Sequence, residues 1–317
     1  AKAALSLKTL PIDWIIYQTL MISGVNPRIV SRWDAKPGQH PHHVAIRMIN
    51  MKGDVRGCGA NVISDQWLLT AAHCTAGQIK ILVRAGLIHM NKPEMALETS
   101  EYYLYPTFDA ERSSVVQIND ISLIKLQQPL KYSSNLRPIR IQPSADAYKD
   151  YTDEVLYTSG FGRSWTDGAR QEKLQWVYLI GISNQACAGT YGPTLVTANT
   201  ICARFFNEAS QTICQGDSGD PLVHVSLKGI PTLIGISSFV PSLPQDCHSG
   251  SPGAFIRPGA FQSWIYEITG IDFDSLNEQD NQANFMPSTI SSSPNATFTT
   301  TAPPNITIIT TTPPNIT

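Results

Sequence analysis

Between residues 29 and 270 the chain is a succession of short apolar runs, each about the length of one strand, broken by clusters of Gly, Pro, Asn, Asp and Ser. Residues 43–49 alternate between apolar and polar, and 80–84, 121–126, 155–157, 173–180 and 232–238 are similar runs. Strands this short and this evenly spaced predict an all-β sandwich or barrel. One helix fits beside them, over 259–269. There Phe261, Trp264, Ile265 and Ile268 fall at i, i+3, i+4 and i+7, and Gly270 follows as a stop. A hydrophobic content of 42% over 317 residues supplies a core, and a charged content of 15% excludes a wholly disordered chain. The net charge of −2 gives no general attraction to nucleic acid or to an anionic membrane surface. No segment approaches the ~18 consecutive apolar residues of a membrane span.

The flanks differ from this middle zone. Residues 1–28 hold no Cys and end in Asn26-Pro27-Arg28. No initiator Met and no basic end with an apolar run opens the chain, so a signal peptide is expected to have been removed already. From Pro287 onward the chain is dominated by Thr, Ser and Pro, and Thr300–Thr307 is echoed by Thr311–Thr317. Proline fixes φ and removes donors, and Thr supplies no core, so this tail is expected to be extended and unpacked. It carries three Asn-x-Thr acceptors, Asn295, Asn305 and Asn315, which point to a secreted, glycosylated stalk; an unmodified linker is the alternative. All six Cys lie in the middle zone, an even number that permits three disulfides in an oxidising compartment.

Three runs carry chemistry. In Cys214-Gln215-Gly216-Asp217-Ser218-Gly219-Asp220-Pro221-Leu222, a Ser sits between two Gly, so a carbonyl can approach its Oγ. The N–H groups of Gly216 and Ser218 can point at one spot and stabilise an oxyanion. Taken alone, the run reads equally well as an ordinary Gly-Asp-Ser turn. Trp67-Leu68-Leu69-Thr70-Ala71-Ala72-His73-Cys74 ends an apolar strand in a His beside a Cys, and Asn119-Asp120-Ile121-Ser122 puts an acid at the mouth of a buried strand. In chain order His73, Asp120 and Ser218 are the residue types for base, orienter and nucleophile.

These three runs, in this order and at this spacing, resemble the chymotrypsin-fold, trypsin-like serine proteases over 29–270, in the chymotrypsin/elastase-like branch. The resemblance implies two antiparallel six-stranded β-barrels with a C-terminal helix and an active site in the cleft between them. It implies a secreted serine endopeptidase working through a Ser-His-Asp acyl-enzyme, with no cofactor. Arg28-Ile29-Val30 resembles the family's activation junction. Residues 1–28 would then be a propeptide, cut off after Arg28 by a trypsin-like protease, and the freed Ile29 amine would pair with Asp217. The family pattern implies disulfides Cys58–Cys74, Cys187–Cys202 and Cys214–Cys247. Expected partners are protein or peptide substrates and protein protease inhibitors, with the chain a monomer that engages neither nucleic acid nor membrane. No metal is expected: Leu87 stands where calcium-binding trypsins carry an acid, and His40-Pro41-His42-His43 lacks supporting Cys or Glu.

By the same resemblance Thr212 lies at the base of the primary specificity pocket, with Ser238, Val240 and Gly253 along its walls. An uncharged base leaves a substrate cation unpaired, so cleavage after uncharged apolar residues is expected. The sequence departs from the family at several points. Asp220 replaces a Gly, and is expected to find a local partner, the alternative being a disturbed oxyanion geometry. Ile29-Val30-Ser31-Arg32 stands for Ile-Val-Gly-Gly, and Ser238-Phe239-Val240 for Ser-Trp-Gly. Two other functions fit less well: a catalytically dead binding homologue, which would usually lose Ser or His, and an adhesive stalk carried by the protease domain.

Overall fold

The computed structural model describes residues 32–162, 170–206, 216–240 and 251–277. By its contacts the chain divides into a unit over 1–278 and another over 279–317, which lies outside the described residues.

The apolar runs become fifteen strands among the described residues: β1 Trp33–Asp34, β2 His43–Asn50, β3 Val55–Val62, β4 Trp67–Thr70, β5 Gln78–Ala85, β6 Met95–Thr99, β7 Tyr102–Leu104, β8 Ser122–Lys125, β9 Arg140–Ile141, β10 Val155–Gly160, β11 Gln175–Ile182, β12 Thr200–Phe205, β13 Pro221–Val225, β14 Pro231–Phe239 and β15 Gly253–Ile256. One sheet runs β6-β5-β2-β3-β4-β8-β7 and curls into a half-barrel. In the other, the path β11-β10-β13-β14-β15-β12 returns through a β11–β12 pairing, which closes a six-stranded barrel; β1 adds to β11 and β9 pairs with β14. The expected all-β architecture with a C-terminal helix is therefore present. Its first half stays a curled sheet, because no pairing joins β6 to β7 among the described residues.

Burial follows the pattern that defined the strands. Ile46, Met48, Leu68, Leu69, Ile81, Leu123 and Ile124 of the first sheet share one apolar core with Val223, Leu233, Ile236 and Ile256 of the second. A separate cluster of Leu156, Val177, Leu179, Ile201, Leu222, Ile234 and Phe255 belongs to strands of the closed barrel. Among the described residues the α-helices are α1 Ala72–Thr75, α2 Asn184–Tyr191 and α3 Gln262–Thr269, with a further helical run over 273–277. The expected helix over 259–269 opens as a 3₁₀ turn at Pro258–Phe261 and continues as α3. Gly270 ends it with φ 72°, donating its N–H to the Tyr266 carbonyl, a left-handed stop that glycine adopts without a Cβ clash. Sequence periodicity did not reveal α2, whose apolar face is weak; it begins where Ser183 Oγ accepts from the Ala186 N–H. The disulfides Cys58–Cys74 and Cys187–Cys202 are formed. Cys214 and Cys247 lie outside the described residues.

A polar seam runs through this apolar framework. His40, His42 and His43 are buried, and burial pushes their pKa values down, to about 3 for His40 and about 4 for His43. Their imidazoles are therefore neutral. They do not converge on one another as metal ligands. Among the described residues, a trio of His, Cys or acid ligand atoms comes within 4.8 Å only at Cys58, His73 and Cys74, where both sulfurs are already in a disulfide.

Asp220 sits in the same seam, 1% exposed. Its carboxyl fills space beside two glycines: a Cβ on Gly59 would stand 1.7 Å from Oδ1, and one on Gly160 1.9 Å from Oδ2. As a carboxylate it has no hydrogen-bond donor among the described residues, and His43 Nε2 is 3.7 Å away, too far for a hydrogen bond. The expected local partner is thus absent in the charged form. Burial pushes the Asp220 pKa well above the ordinary range, and the neighbouring Asp217 adds to the shift by charge and by accepting the acid's proton. Asp220 is held as the neutral acid.

Two predictions arise from this framework. Trp264 packs edge-on against Tyr105 with ring centroids 5.5 Å apart and fastens α3 to the main core. Trp264→Ala is expected to lower stability by about 3–5 kcal/mol, read from denaturant unfolding. A cost below ~1 kcal/mol would contradict the packing. For Asp220 the folded pKa is raised above the unfolded one. Stability is complete below the unfolded value near 4 and is lost as pH climbs toward the folded value. Asp220→Asn, which does not titrate, is expected to be more stable than the parent at pH 7 by roughly 1–3 kcal/mol, a gain that shrinks toward pH 4. A gain independent of pH would refute a protonated Asp220.

Candidate active site

His73 enters from α1, one turn past the end of β4. Its neighbour Cys74 is tied to Cys58 of β3, so the His is carried on a braced corner. Asp120 precedes β8 and is 3% exposed. Asn119, with φ 56°, turns the chain before it, a left-handed conformation that Asn tolerates better than most residues. Because β8 pairs with β4, Thr70 opposite Ser122, the Asp and the His are brought to the same end of the sheet.

The two join through two hydrogen bonds. The His73 backbone N–H donates to Asp120 Oδ1 at 2.8 Å, and ring Nδ1 meets Oδ2 at 2.6 Å. A third comes from the other sheet: Ser238 Oγ donates to Asp120 Oδ2 at 2.6 Å. Here β14 breaks register against β15 between Ser237 and Phe239, a bulge that re-aims Ser238. Sequence reasoning placed Ser238 on the substrate wall only. The structure commits its hydroxyl to the acid, and the Ser237-Ser238 pair between Ile236 and Phe239 was the available signal.

The electrostatics follow the bonds. Burial lowers the His73 pKa, but the Asp120 charge and hydrogen bond outweigh it, leaving the imidazole above its ordinary 6.5; the nearby Arg56 charge pulls the other way. For Asp120, burial raises the pKa, yet the His73 charge and bond, the Ser238 hydroxyl and the His73 N–H bring it below the ordinary carboxylate value. Ring Nδ1 is thus held as a donor, and Nε2 is left as the free face of the imidazole.

The glycine-rich turn is docked against both sheets. The Ser218 carbonyl accepts from the Gly59 N–H at 2.8 Å, the Gly219 N–H donates to the Ser237 carbonyl at 2.8 Å, and Asn61 Nδ2 donates to the Gly219 carbonyl at 3.0 Å. Gly59 follows Cys58, the disulfide partner of Cys74, so a short path of bonded groups connects the Ser218 turn to the His73 corner. Gly219 has φ 80°, and a Cβ there would stand 2.2 Å from the Gly59 carbonyl, so only glycine fits. Gly216 has φ 98°. Among the described residues the Gly216 and Ser218 N–H groups are not spent on hydrogen bonds. Nor does Ser218 Oγ bond to His73 Nε2 in the free chain, where Nε2 lies 3.8 Å from Cys74 Sγ. Such bonds commonly tighten only when substrate is bound.

Of the other expected site residues, Asp217 is buried and its carboxylate receives Arg32 and the Gly162 N–H. Phe239, the last residue of β14, is opposite Ala254; Val240 follows Phe239 and Gly253 precedes Ala254. Val240 is half-buried and Gly253 buried. Arg28, Ile29, Thr212, Asn295, Asn305 and Asn315 lie outside the described residues.

Residues 29–265 match the family model described as Trypsin. The chain is 32% identical over 247 residues to a collagenase of Hypoderma lineatum, covering 78% of this chain and 89% of that protein. It is 31% identical over 239 residues to chymotrypsin-2 of Vespa crabro, covering 75% and 98%. A solved collagenase structure superposes over 77% of this chain and 99% of its own, with a TM-score of 0.67 and 28% identity. A closed barrel beside a curled sheet, a His–Asp pair at the sheet end and a docked Gly-Asp-Ser-Gly turn agree with these likenesses: the chain belongs to the trypsin family of chymotrypsin-fold serine proteases.

Proposed function

We propose that the protein is a secreted serine endopeptidase that cleaves after uncharged apolar residues by way of an acyl-enzyme. The observation that carries this reading is the Asp120 cluster, a buried carboxylate holding His73 Nδ1 at 2.6 Å, together with a turn whose Gly216 and Ser218 N–H groups are unspent among the described residues. In this reading Ser218 Oγ attacks the scissile carbonyl carbon while His73 Nε2 takes its proton. The oxyanion is received by the N–H groups of Gly216 and Ser218. The C–N bond breaks as His73 returns the proton to the leaving amine, and water then repeats the sequence to release the acyl group. Asp120 keeps the ring in the tautomer that leaves Nε2 basic and stabilises the imidazolium while it exists.

Specificity in this reading is set by Thr212 at the pocket base and by Val240 and Gly253 along its walls. The two methyl groups of Val240 narrow one wall, so Leu, Met and smaller residues are preferred to Trp, in a graded way. Residues 1–28 are a propeptide; the tail expected from 271 starts later, because Phe273 packs in the main core and Asn277 Nδ2 donates to the Ile141 carbonyl, and the Thr/Pro-rich tail beyond them is glycosylated at Asn295, Asn305 and Asn315. A trypsin-like protease cuts after Arg28, and the Ile29 amine then joins the surroundings of Asp217. The mature chain acts as a monomer and is a target for protein protease inhibitors. The absence, among the described residues, of any helix long and apolar enough to cross a membrane is compatible with this.

Ser218→Ala is expected to lower turnover by about 10³-fold or more and to abolish labelling by a fluorophosphonate, with the melting temperature unchanged. Retention of labelling would remove Ser218 from the role. Because only neutral His73 is a base and its pKa is raised, kcat/KM is expected to climb with pH through a midpoint above 6.5. A profile flat between pH 5 and 8 would count against His73. In a mixed peptide library Val240→Gly is expected to shift preference toward Phe and Tyr by roughly tenfold or more. A parent enzyme that cleaves best after Lys or Arg would overturn the pocket assignment.

A further inference from the structure

Asp217 immediately precedes Ser218 and is buried, its side chain 3% exposed. A carboxylate so far from water has to be matched by a cation and by donors. Among the described residues Arg32 is a cation bonded to it. Its side chain is 6% exposed, with Nη2 2.6 Å from Oδ2 and Nη1 3.2 Å from Oδ1, so its fork takes both carboxylate oxygens. The Gly162 N–H adds a bond to Oδ1 at 2.9 Å. The fit around this carboxylate is tight: a Cβ on Gly162 would lie 2.1 Å from Oδ1. Thr158, Ser159, Gly160, Gln175 and Trp176 wall the guanidinium and the carboxylate into one slot.

The pair bears on the turn that holds Ser218. Asp217 is bonded at both ends, its carbonyl accepting from the Asp220 N–H at 3.1 Å and its carboxylate held by Arg32 and Gly162. With Asp217 anchored, the residues on either side, Gly216 at φ 98° and Ser218, present their N–H groups in a set orientation. Arg32 lies four residues after Arg28 in an unbroken chain, at a position where the resemblance leads one to expect a side-chain-free Gly. A guanidinium is a cation that needs no bond cleavage to appear.

We propose that Arg32 is a positioning residue that supplies Asp217 with a built-in cation, so that the Gly216–Ser218 turn is formed and the chain is reactive while the Arg28–Ile29 bond is intact. The proposal rests on the reading of Ser218 as nucleophile, and the test separates the two. Cleavage then adds the Ile29 amine to a carboxylate that is already held, and increases activity only modestly.

Four full-length proteins are compared: the parent cleaved after Arg28, the uncleavable R28Q, the double variant R28Q/R32Q, and R32Q cleaved after Arg28. Each is measured for kcat and KM on a small uncharged amide substrate, for its rate of labelling by a fluorophosphonate, and for melting temperature. R28Q is expected within about tenfold of the cleaved parent. R28Q/R32Q is expected to lose at least 100-fold in kcat and labelling rate, with KM moving less. Cleaved R32Q is expected to recover to within about tenfold of the parent, since its new amine replaces the lost guanidinium, a rescue that general destabilisation would not give. R28Q more than 10³-fold below an active cleaved parent, or R28Q/R32Q equal to R28Q, would overturn the proposal. A cleaved parent that neither labels nor turns over would instead sink the peptidase reading, and this inference with it. If Arg32→Gln does not fold, R28Q/R32K decides: a kcat 10- to 100-fold below R28Q at the same melting temperature supports the fork, and equality with R28Q overturns it.

Discussion

Asp120 ties together the two halves of the fold. It is taken out of water at the end of one sheet, and its oxygens are met by the His73 backbone and ring from its own sheet and by Ser238 from the other. A buried carboxylate with fewer donors would be protonated or would unfold its surroundings. Here the bonds that keep it charged also register the half-barrel against the closed barrel. They raise the basicity of the imidazole it holds, so one set of contacts serves both packing and chemistry.

Two further acids share the neighbourhood and are handled differently. Asp217 is matched by a guanidinium fork and a backbone N–H. Asp220, three residues on, is kept neutral, with its proton available to Asp217. Two adjacent buried anions would repel strongly in so apolar a setting, and protonating one of them removes that repulsion. The glycines at 59, 160 and 162 are required by the same arrangement, since any Cβ at those positions would collide with one of the two carboxyl groups.

The apolar frame makes this polar interior tolerable. The main core draws on both sheets and on α3, and His40, His42, His43 and Asp220 are buried beside it. Three imidazoles stay neutral there because burial disfavours their charge. The departures from the family pattern at 32 and 220 fall in this one region beneath the Ser218 turn. The Arg serves a carboxylate whose need is permanent, while the Asp is absorbed as an acid.

Much of this was legible from the residues in order. Strand-length apolar runs gave β-structure because a period-two pattern can bury only one face of an extended chain. The i, i+3, i+4, i+7 spacing before Gly270 located α3 because a helix closes one face every 3.6 residues. The motifs around His73, Asp120 and Ser218 were readable because each needs local residue types: a braced His, an acid at a strand mouth, a Ser flanked by Gly. What remained hidden depends on residues far apart in the chain. Ser238 meets Asp120 across 118 residues and Arg32 meets Asp217 across 185, and no local pattern encodes either pairing. The openness of the first sheet was hidden for the same reason, since barrel closure is set by which edges meet in space. The protonation of Asp220 was decided by burial and by the charge beside it, quantities that exist only once the chain has folded.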